Sequence, residues 1–292
     1  MKENNTSYRH YIVSSSRSTV KSLGWQALTG KKKDAFLVCL FLILIPLAFD
    51  TIVQIIPSDS LLIESAANVI SAVLMGTLTL GSSMFFLKNF RGENVRYTEV
   101  FHSFKFWGKA FILFLLRGLM VVLGLFLFIF PGIFTFYRTR MAFFILAENP
   151  EKNPLICLRE STEMMDGNKM SLFKLDFSFF GWIALSAVPF IAVTLFFAFK
   201  SFPVKEYMEA LNAVVTNPAM SAAEFEGLYD SLMQLSTDRL AEMINSMGAW
   251  LYVLINNLPR LFFIFAEAYM TSSYACFYEF AKGNIYEAAE EA

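Results

Sequence analysis

The chain has 292 residues, of which 56% are hydrophobic and only 17% charged, with a mean hydropathy of +0.50 and a formal net charge of −1. A soluble domain of this length carries about 25% charged residues, so the composition excludes an ordinary water-soluble globule and points to the membrane. No basic stripe with interleaved aromatics occurs away from the hydrophobic runs, which excludes a nucleic-acid partner.

The first 34 residues are polar and basic, and the stretch from Val20 to Leu28 has the pattern of an amphipathic helix. The first apolar run, Ala35 to Ile56, has no small-residue cleavage site and is long enough to span about 30 Å of hydrocarbon, so it is expected to stay in the membrane. It ends at the short turn PSDS from Pro57. A second crossing returns from Ala66 to Leu87. Its small residues, among them Gly76, Thr77, Gly81, Ser82 and Ser83, suit a central helix packed closely by its neighbours. The third crossing, Lys109 to Phe130, is expected to stop at Pro131 and Gly132.

A shorter run follows from Phe134 to Ala147. Fourteen residues reach only about 21 Å as a helix, so this run either starts below the outer surface or re-enters. The fifth crossing runs from Leu172 to Phe199 with a kink expected at Pro189, and the last from Ala249 to Phe280 with an interruption at NNLPR. The expected fold is all-α: a polytopic bundle of about six transmembrane helices in three hairpins. It comprises a cytoplasmic segment 1–34, a membrane domain 35–282 and a cytoplasmic tail 283–292.

Positive charge orients the bundle. Lys2, Arg9, Arg17, Lys21, Lys31, Lys32 and Lys33 precede the first crossing, and no Lys or Arg lies in the turn after it. The next connection on the same side carries Lys88, Arg91, Arg96, Lys105 and Lys109, and the one after that Lys152, Arg159, Lys169 and Lys174. Both termini are therefore expected in the cytoplasm of a cell-membrane protein. A repeat supports this grouping. GKKKDAFLVCLF from Gly30, GKAFILFLL from Gly108 and GNKMSLFKL from Gly167 open apolar runs, and FLKNFRGENVRY, FILAENPEKNP and FYEFAKGNIYEA close the return helices. Two of these closings lead into amphipathic stretches, with Val100, Phe101, Phe104 and Trp107 on one face and Pro154, Leu155, Ile156, Leu158, Met164 and Met165 on another. Three parallel units result, each an in-plane cytoplasmic helix followed by a hairpin.

The segments RGE at Arg91, PGI at Pro131, NP at Asn149, SxxMMxGxK at Ser161 and SFxGW at Ser178 together resemble an uncharacterised family of Gram-positive bacterial integral membrane proteins that carries a domain-of-unknown-function label. More distantly, the chain is similar to the membrane region of some bacterial glycerophosphodiester phosphodiesterases. The resemblance covers about Ser22 to Gly283 and implies fold and location, with no activity attached. The chain departs from the pattern between Lys200 and Met247, where a long insert stands in place of a short outer loop. This insert, 201–247, holds seven acidic side chains against Lys205 and Arg239. Tyr207, Leu211, Val214 and Val215, then Phe225, Leu228, Leu232 and Leu235, recur at helical spacing and predict two amphipathic helices joined near NPAMS, forming an acidic external cap.

Charges inside the crossings are the candidate site. Arg117 lies eight residues beyond Lys109, about 12 Å along a helix, and Arg140 lies as far from Glu148 on the return. With Arg138, Glu267 and Asp176 they are expected to face the bundle interior, because a lipid-facing charge costs at least about 2.5 to 3.5 kcal/mol. The expected pairs are Arg138 with Glu267, and Asp176 with Arg117 or Arg140. The excess of cations suits an anionic ligand such as a lipid phosphate. Asp50 and Arg260, near the outer ends, are expected to snorkel. Cys39, Cys157 and Cys276 are spaced for neither a metal nor a disulfide framework and read as small core fillers. No HExxH, GxSxG or phosphate loop occurs, so no enzyme, metal or cofactor is expected. The function expected is that of an accessory, structural or partner-binding protein of the cell envelope, with a cationic peptide as one possible partner of the cap. The alternative is a transporter or lipid-handling protein that binds an anion at the arginines.

Overall fold

The computed structural model describes residues 11–55, 61–217, 221–247 and 249–284. Among them it is all-α, without strands. The chain divides into two compact units, one within residues 1–182 and 264–292, the other within 183–263. The expected turn at residues 57–60, the basic residues Lys2 and Arg9, and the tail beyond residue 284 lie outside the described residues, as do the side chains of Asp50 and Arg260.

In the first unit, α1 (Arg17–Ala27) is capped by Ser16, whose hydroxyl accepts from the Thr19 N–H. Next come α2 (Lys32–Ile55) and α3 (Leu61–Phe90). α3 is the hub: it packs on α1, α2 and the short α4 (Glu99–His102), on α5 (Trp107–Leu127) and on α7 (Ala142–Glu148). Its Leu78, Leu80, Phe85 and Phe86 are fully buried, and the Ser103 hydroxyl donates to the Thr77 carbonyl at 2.8 Å, tying a 3₁₀ turn to it. The small residues of this helix do what their size predicts, because Thr77, Ser82 and Ser83 are buried in the contact. Among the described residues, two helical stretches are long and apolar enough to cross a membrane, 62–90 and 99–127. The second presents Leu119, Val122, Leu123 and Phe126 outward, and such a continuous apolar face requires lipid or a partner to cover it.

Four helix boundaries differ from expectation. α5 ends at Leu127 and Phe128 is extended, so the break precedes Pro131, which lies in the first turn of α6 (Ile129–Arg138). A proline there loses no hydrogen bond, since the first N–H groups of a helix are orphans anyway. Glycine does the turning: a Cβ on Gly124 would sit 2.9 Å from the Gly132 Cα, so α5 and α6 touch backbone to backbone. The run 134–147 is two helices, α6 and α7. Ser161 of α8 (Pro154–Met164) separates them, its hydroxyl donating to the Arg138 carbonyl at 3.0 Å and accepting from the Met141 N–H at 3.2 Å. The run from Leu172 likewise breaks at Ser178 and Phe179, between α9 (Lys169–Phe177) and α10 (Phe180–Ser201), and α10 continues through Pro189. Fully buried Phe179 meets Tyr269 edge to face at 5.0 Å, and that contact rewards the turn. Finally, α13 (Ala249–Lys282) runs unbroken through NNLPR.

The amphipathic stretches form helices but with different faces. Only Val100 of its predicted face is buried, whereas Phe101, Phe104 and Trp107 are exposed. α8 buries Cys157, Leu158, Glu160 and Ser161 and leaves Leu155 and Ile156 outside. Glu160 is tolerated inside because Lys152 pairs with it at 2.8 Å. All three cysteines are buried and unpaired with one another.

The second unit contains α11 (Val204–Thr216) and α12 (Ala222–Met247), the two helices expected of the insert. α12 opens on a reciprocal cap: the Ser221 hydroxyl accepts from the Glu224 N–H, and the Glu224 carboxylate accepts from the Ser221 N–H. α11 and α12 pack together, and Glu206 pairs with Arg239. Of the NPAMS junction, residues 218–220 lie outside the described set.

Candidate functional site: two charge clusters in the first unit

Four of the five predicted residues converge. Arg117 projects from α5, Arg140 from the turn between α6 and α7, Asp176 from α9 and Glu267 from α13. The two arginines share one aromatic ring, with guanidinium carbons 5.3 Å (Arg117) and 5.1 Å (Arg140) from the centre of Phe136. Arg140 also lies 4.6 Å from the Tyr274 ring. Asp176 and Glu267 both act electrostatically on Arg140, and the Thr271 hydroxyl donates to Glu267 at 3.3 Å. Arg117 differs. The charge that acts on it is Arg140, a second cation, and its Nε is buried with no hydrogen-bond acceptor among the described residues. Asp176 Oδ1 and the Tyr274 hydroxyl are also enclosed without a well-formed hydrogen bond among the described residues, although Tyr274 lies close enough to Asp176 and Arg140 to interact with both.

Arg138 does not join them. It sits in the last turn of α6 and is exposed, whereas Arg140 lies past the Thr139 cap, in the turn that follows, and is half-buried. No Arg138–Glu267 ion pair forms among the described residues; Glu267 acts electrostatically on Arg140 instead, and so does Asp176, for which Arg117 or Arg140 is the expected partner. The aromatic members, Phe136, Tyr137 and Tyr274, escape a reading that looks for charge alone. Cation–π contact helps the two half-buried arginines sit together, at about 0.5 to 2 kcal/mol each.

A second cluster lies where the three closing segments meet. Arg91, just past α3, bridges Glu148 at the end of α7 (2.5 Å) and Glu279 on α13 (2.7 Å). Lys282 reaches Glu148 at 2.5 Å, the Tyr278 hydroxyl donates to Glu148 at 2.9 Å, and Asn284 donates to Glu279. Burial alone would raise the Glu148 carboxyl, but hydrogen bonds from Lys282 and Arg91 outweigh it and hold it below the usual carboxylate range. Gly92 and Gly283 follow the two cations with positive φ, at 77° and 93°, so each chain turns away directly after its charge is placed. The signal for this cluster was in the sequence: FRGE, FILAEN and FYEFAKG each end an apolar helix on a charged residue, and their signs are complementary.

A family model described as "Protein of unknown function (DUF975)" matches residues 14–143 and again residues 132–284. No curated protein and no solved structure matches the chain.

Proposed function

We propose that this chain, which belongs to the DUF975 family of proteins of unknown function, is a multi-pass protein of the cell membrane that holds a partner rather than carrying out a reaction. In this reading α2 with α3, α5 with α6 and α7, and α10 with α13 form three hairpins and six crossings, with both termini cytoplasmic by the placement of Lys and Arg. Each hairpin follows an in-plane helix, and the bilayer covers the apolar face of α5. The motif resemblance extends the reading to the envelope of a Gram-positive bacterium. The broken α6–α7 crossing is acceptable in lipid because Ser161 satisfies the freed backbone groups.

The observation that carries the function is the surface of the second unit. α11 and α12 flank an apolar groove of about 150 Å³, lined by Tyr207, Leu211, Phe225, Leu228 and Leu232. Large apolar groups remain exposed around it, Tyr207 at 42%, Leu211 at 49% and Phe225 at 54%. The insert that forms it, 201–247, carries seven acidic side chains against two basic ones. An apolar seam on an acidic segment complements an amphipathic helix with a cationic face, so the partner proposed is a cationic amphipathic peptide or helical segment. The full chain in neutral detergent, titrated with a synthetic amphipathic helix of Lys/Leu composition, is expected to bind it in a salt-dependent manner, and Leu211→Asp with Leu232→Asp to abolish binding. Equal binding of a Glu/Leu helix of the same pattern would sink the proposal.

A second reading, an anionic ligand handled at the arginines, is favoured by one observation: Arg117, half-buried with its Nε enclosed, shares the Phe136 ring with a second cation, Arg140. An anion between Arg117 and Arg140 would offset both desolvation and repulsion.

A further inference from the structure

The first unit holds a cavity of about 490 Å³ between the segment 13–17, α9 and the end of α13. Two cations line it from different elements, Arg17 at the start of α1 and Lys174 on α9, together with the serines at 14–16 and 171. No acidic side chain lines it, and neither Arg17 nor Lys174 has an ion-pair partner among the described residues. Its floor is apolar, with Leu175 and Phe277 fully buried beneath. Lys21, one turn beyond Arg17, adds positive potential; burial and then the Arg17 charge push its ammonium below the ordinary value.

The walls are held from outside the cavity. The Val13 N–H donates to Asn168 Oδ1 at 2.8 Å, and Asn168 Nδ2 donates to the Tyr11 carbonyl at 2.9 Å. The Tyr11 N–H donates to the Ala281 carbonyl at 3.0 Å. On the far side, the Ser272 hydroxyl donates to the Gly24 carbonyl at 2.7 Å, and Lys21 donates to the Ser178 carbonyl at 3.3 Å. The segment 11–16 is thus clamped by groups that do not line the cavity, which leaves the space preformed.

We propose that this cavity binds a phosphate ester on a glycerol-sized body, the chemistry shared by an anionic phospholipid headgroup and a soluble glycerophosphate. Arg17 presents a planar fork suited to two phosphate oxygens, Lys174 supplies a point charge from a second element, α9, and hydroxyl groups donate to the remaining oxygens. The apolar floor takes the carbon skeleton, and the volume falls within the range of small-molecule sites. This site is separate from the groove of the second unit and from the Arg117 cluster, so its fate is independent of theirs.

The test uses the full chain in neutral, phosphate-free detergent, titrated in one arm with glycerol 3-phosphate and in the other with phosphatidylglycerol in mixed micelles. Saturable binding in either arm is expected; glycerol 3-phosphate alone sufficing identifies a soluble ligand, and binding only in the lipid arm identifies a headgroup. Arg17→Ala with Lys174→Ala is expected to weaken binding at least about tenfold, whereas Lys33→Ala with Lys105→Ala, which removes the same charge elsewhere, leaves it unchanged. Ser171→Trp fills the cavity while keeping both cations and is expected to produce a comparable loss, so the proposal stays testable if the double variant unfolds. Absence of saturable binding in both arms, or an equal loss in the Lys33/Lys105 control, overturns it.

Discussion

Arg91 and Arg117 belong to the same unit and are surrounded in opposite ways. Arg91 reaches two carboxylates, Glu148 and Glu279, and Glu148 in turn takes Lys282, so each charge has a hydrogen-bonded counter-charge. Arg117 shares the Phe136 ring with Arg140, and both acidic neighbours, Asp176 and Glu267, serve Arg140 instead. The first arrangement closes its own electrostatics; the second sets two cations on one ring, with no acceptor for the Arg117 Nε among the described residues. Ion pairs cost much to break and little to replace by apolar groups of the same volume, so the two clusters are expected to respond differently to the loss of an arginine.

The largest effect expected from this contrast is at Arg91. Arg91→Met leaves Glu279, with a side chain only 4% exposed, without its cation and takes one of two cations from Glu148, and is expected to destabilise by about 2 to 3 kcal/mol. That is discounted from the 3 to 5 of a fully buried pair because Arg91 itself is 30% exposed. Unfolding in neutral detergent measures it, and adding Glu279→Gln should recover part of the loss; a loss below about 0.5 kcal/mol would mean that the closing segments are held by packing alone. Ser161→Ala comes next. It leaves the Arg138 carbonyl and the Met141 N–H without their partner, at about 1 to 2 kcal/mol, and protease cleavage between Arg138 and Ala142 should increase. If stability and cleavage are both unchanged, Ser161 is not what separates α6 from α7.

Smaller still is the acid response of the first cluster. Glu148 has a depressed pKa in the folded state, so it contributes stability that is fully present above the ordinary carboxylate pKa of about 4.3 and is lost as the pH falls through its lower folded value. Thermal midpoints measured between pH 3 and pH 7 should therefore drop at the acid end in the parent and less in Glu148→Gln. Parallel profiles for the two would show that the ion pairs of Glu148 carry no net stability.

The contrast also shows what a linear reading can reach. Apolar length, small residues and the acidic insert made α2, α3, α5, α11 and α12 legible, because each follows from composition along one helix. The helix ends were less so. Pro131 and NNLPR are strong local breakers, yet the breaks fall at Phe128, at 139–141 and at 178–179, where a glycine contact, Ser161 and the burial of Phe179 decide. Those partners are distant in sequence, so no local pattern contains them. The candidate site shows the same limit: depth along a helix found Arg117 and Arg140, but α6 ends between Arg138 and Arg140 and parts them, and that boundary depends on a distant partner. The Arg91 cluster depends on three segments more than fifty residues apart meeting at one place. Their complementary signs were visible beforehand; their meeting was not.

Arg117→Met tests the other side of the comparison and has the smallest expected effect on the ligand-free protein. Met fills a similar volume, removes a cation whose Nε has no acceptor among the described residues, and relieves the repulsion on Arg140. Stability should change by less than about 0.5 kcal/mol or rise, in contrast to Arg91→Met. A ligand-dependent readout divides the remaining possibilities. If an anion binds between the arginines, a stabilising effect of added anionic detergent or lipid should be present in the parent and absent in Arg117→Met. If Arg117→Met instead destabilises as strongly as Arg91→Met, then Arg117 has a structural partner, the two clusters are alike in kind, and the reading of an anionic ligand at this site falls.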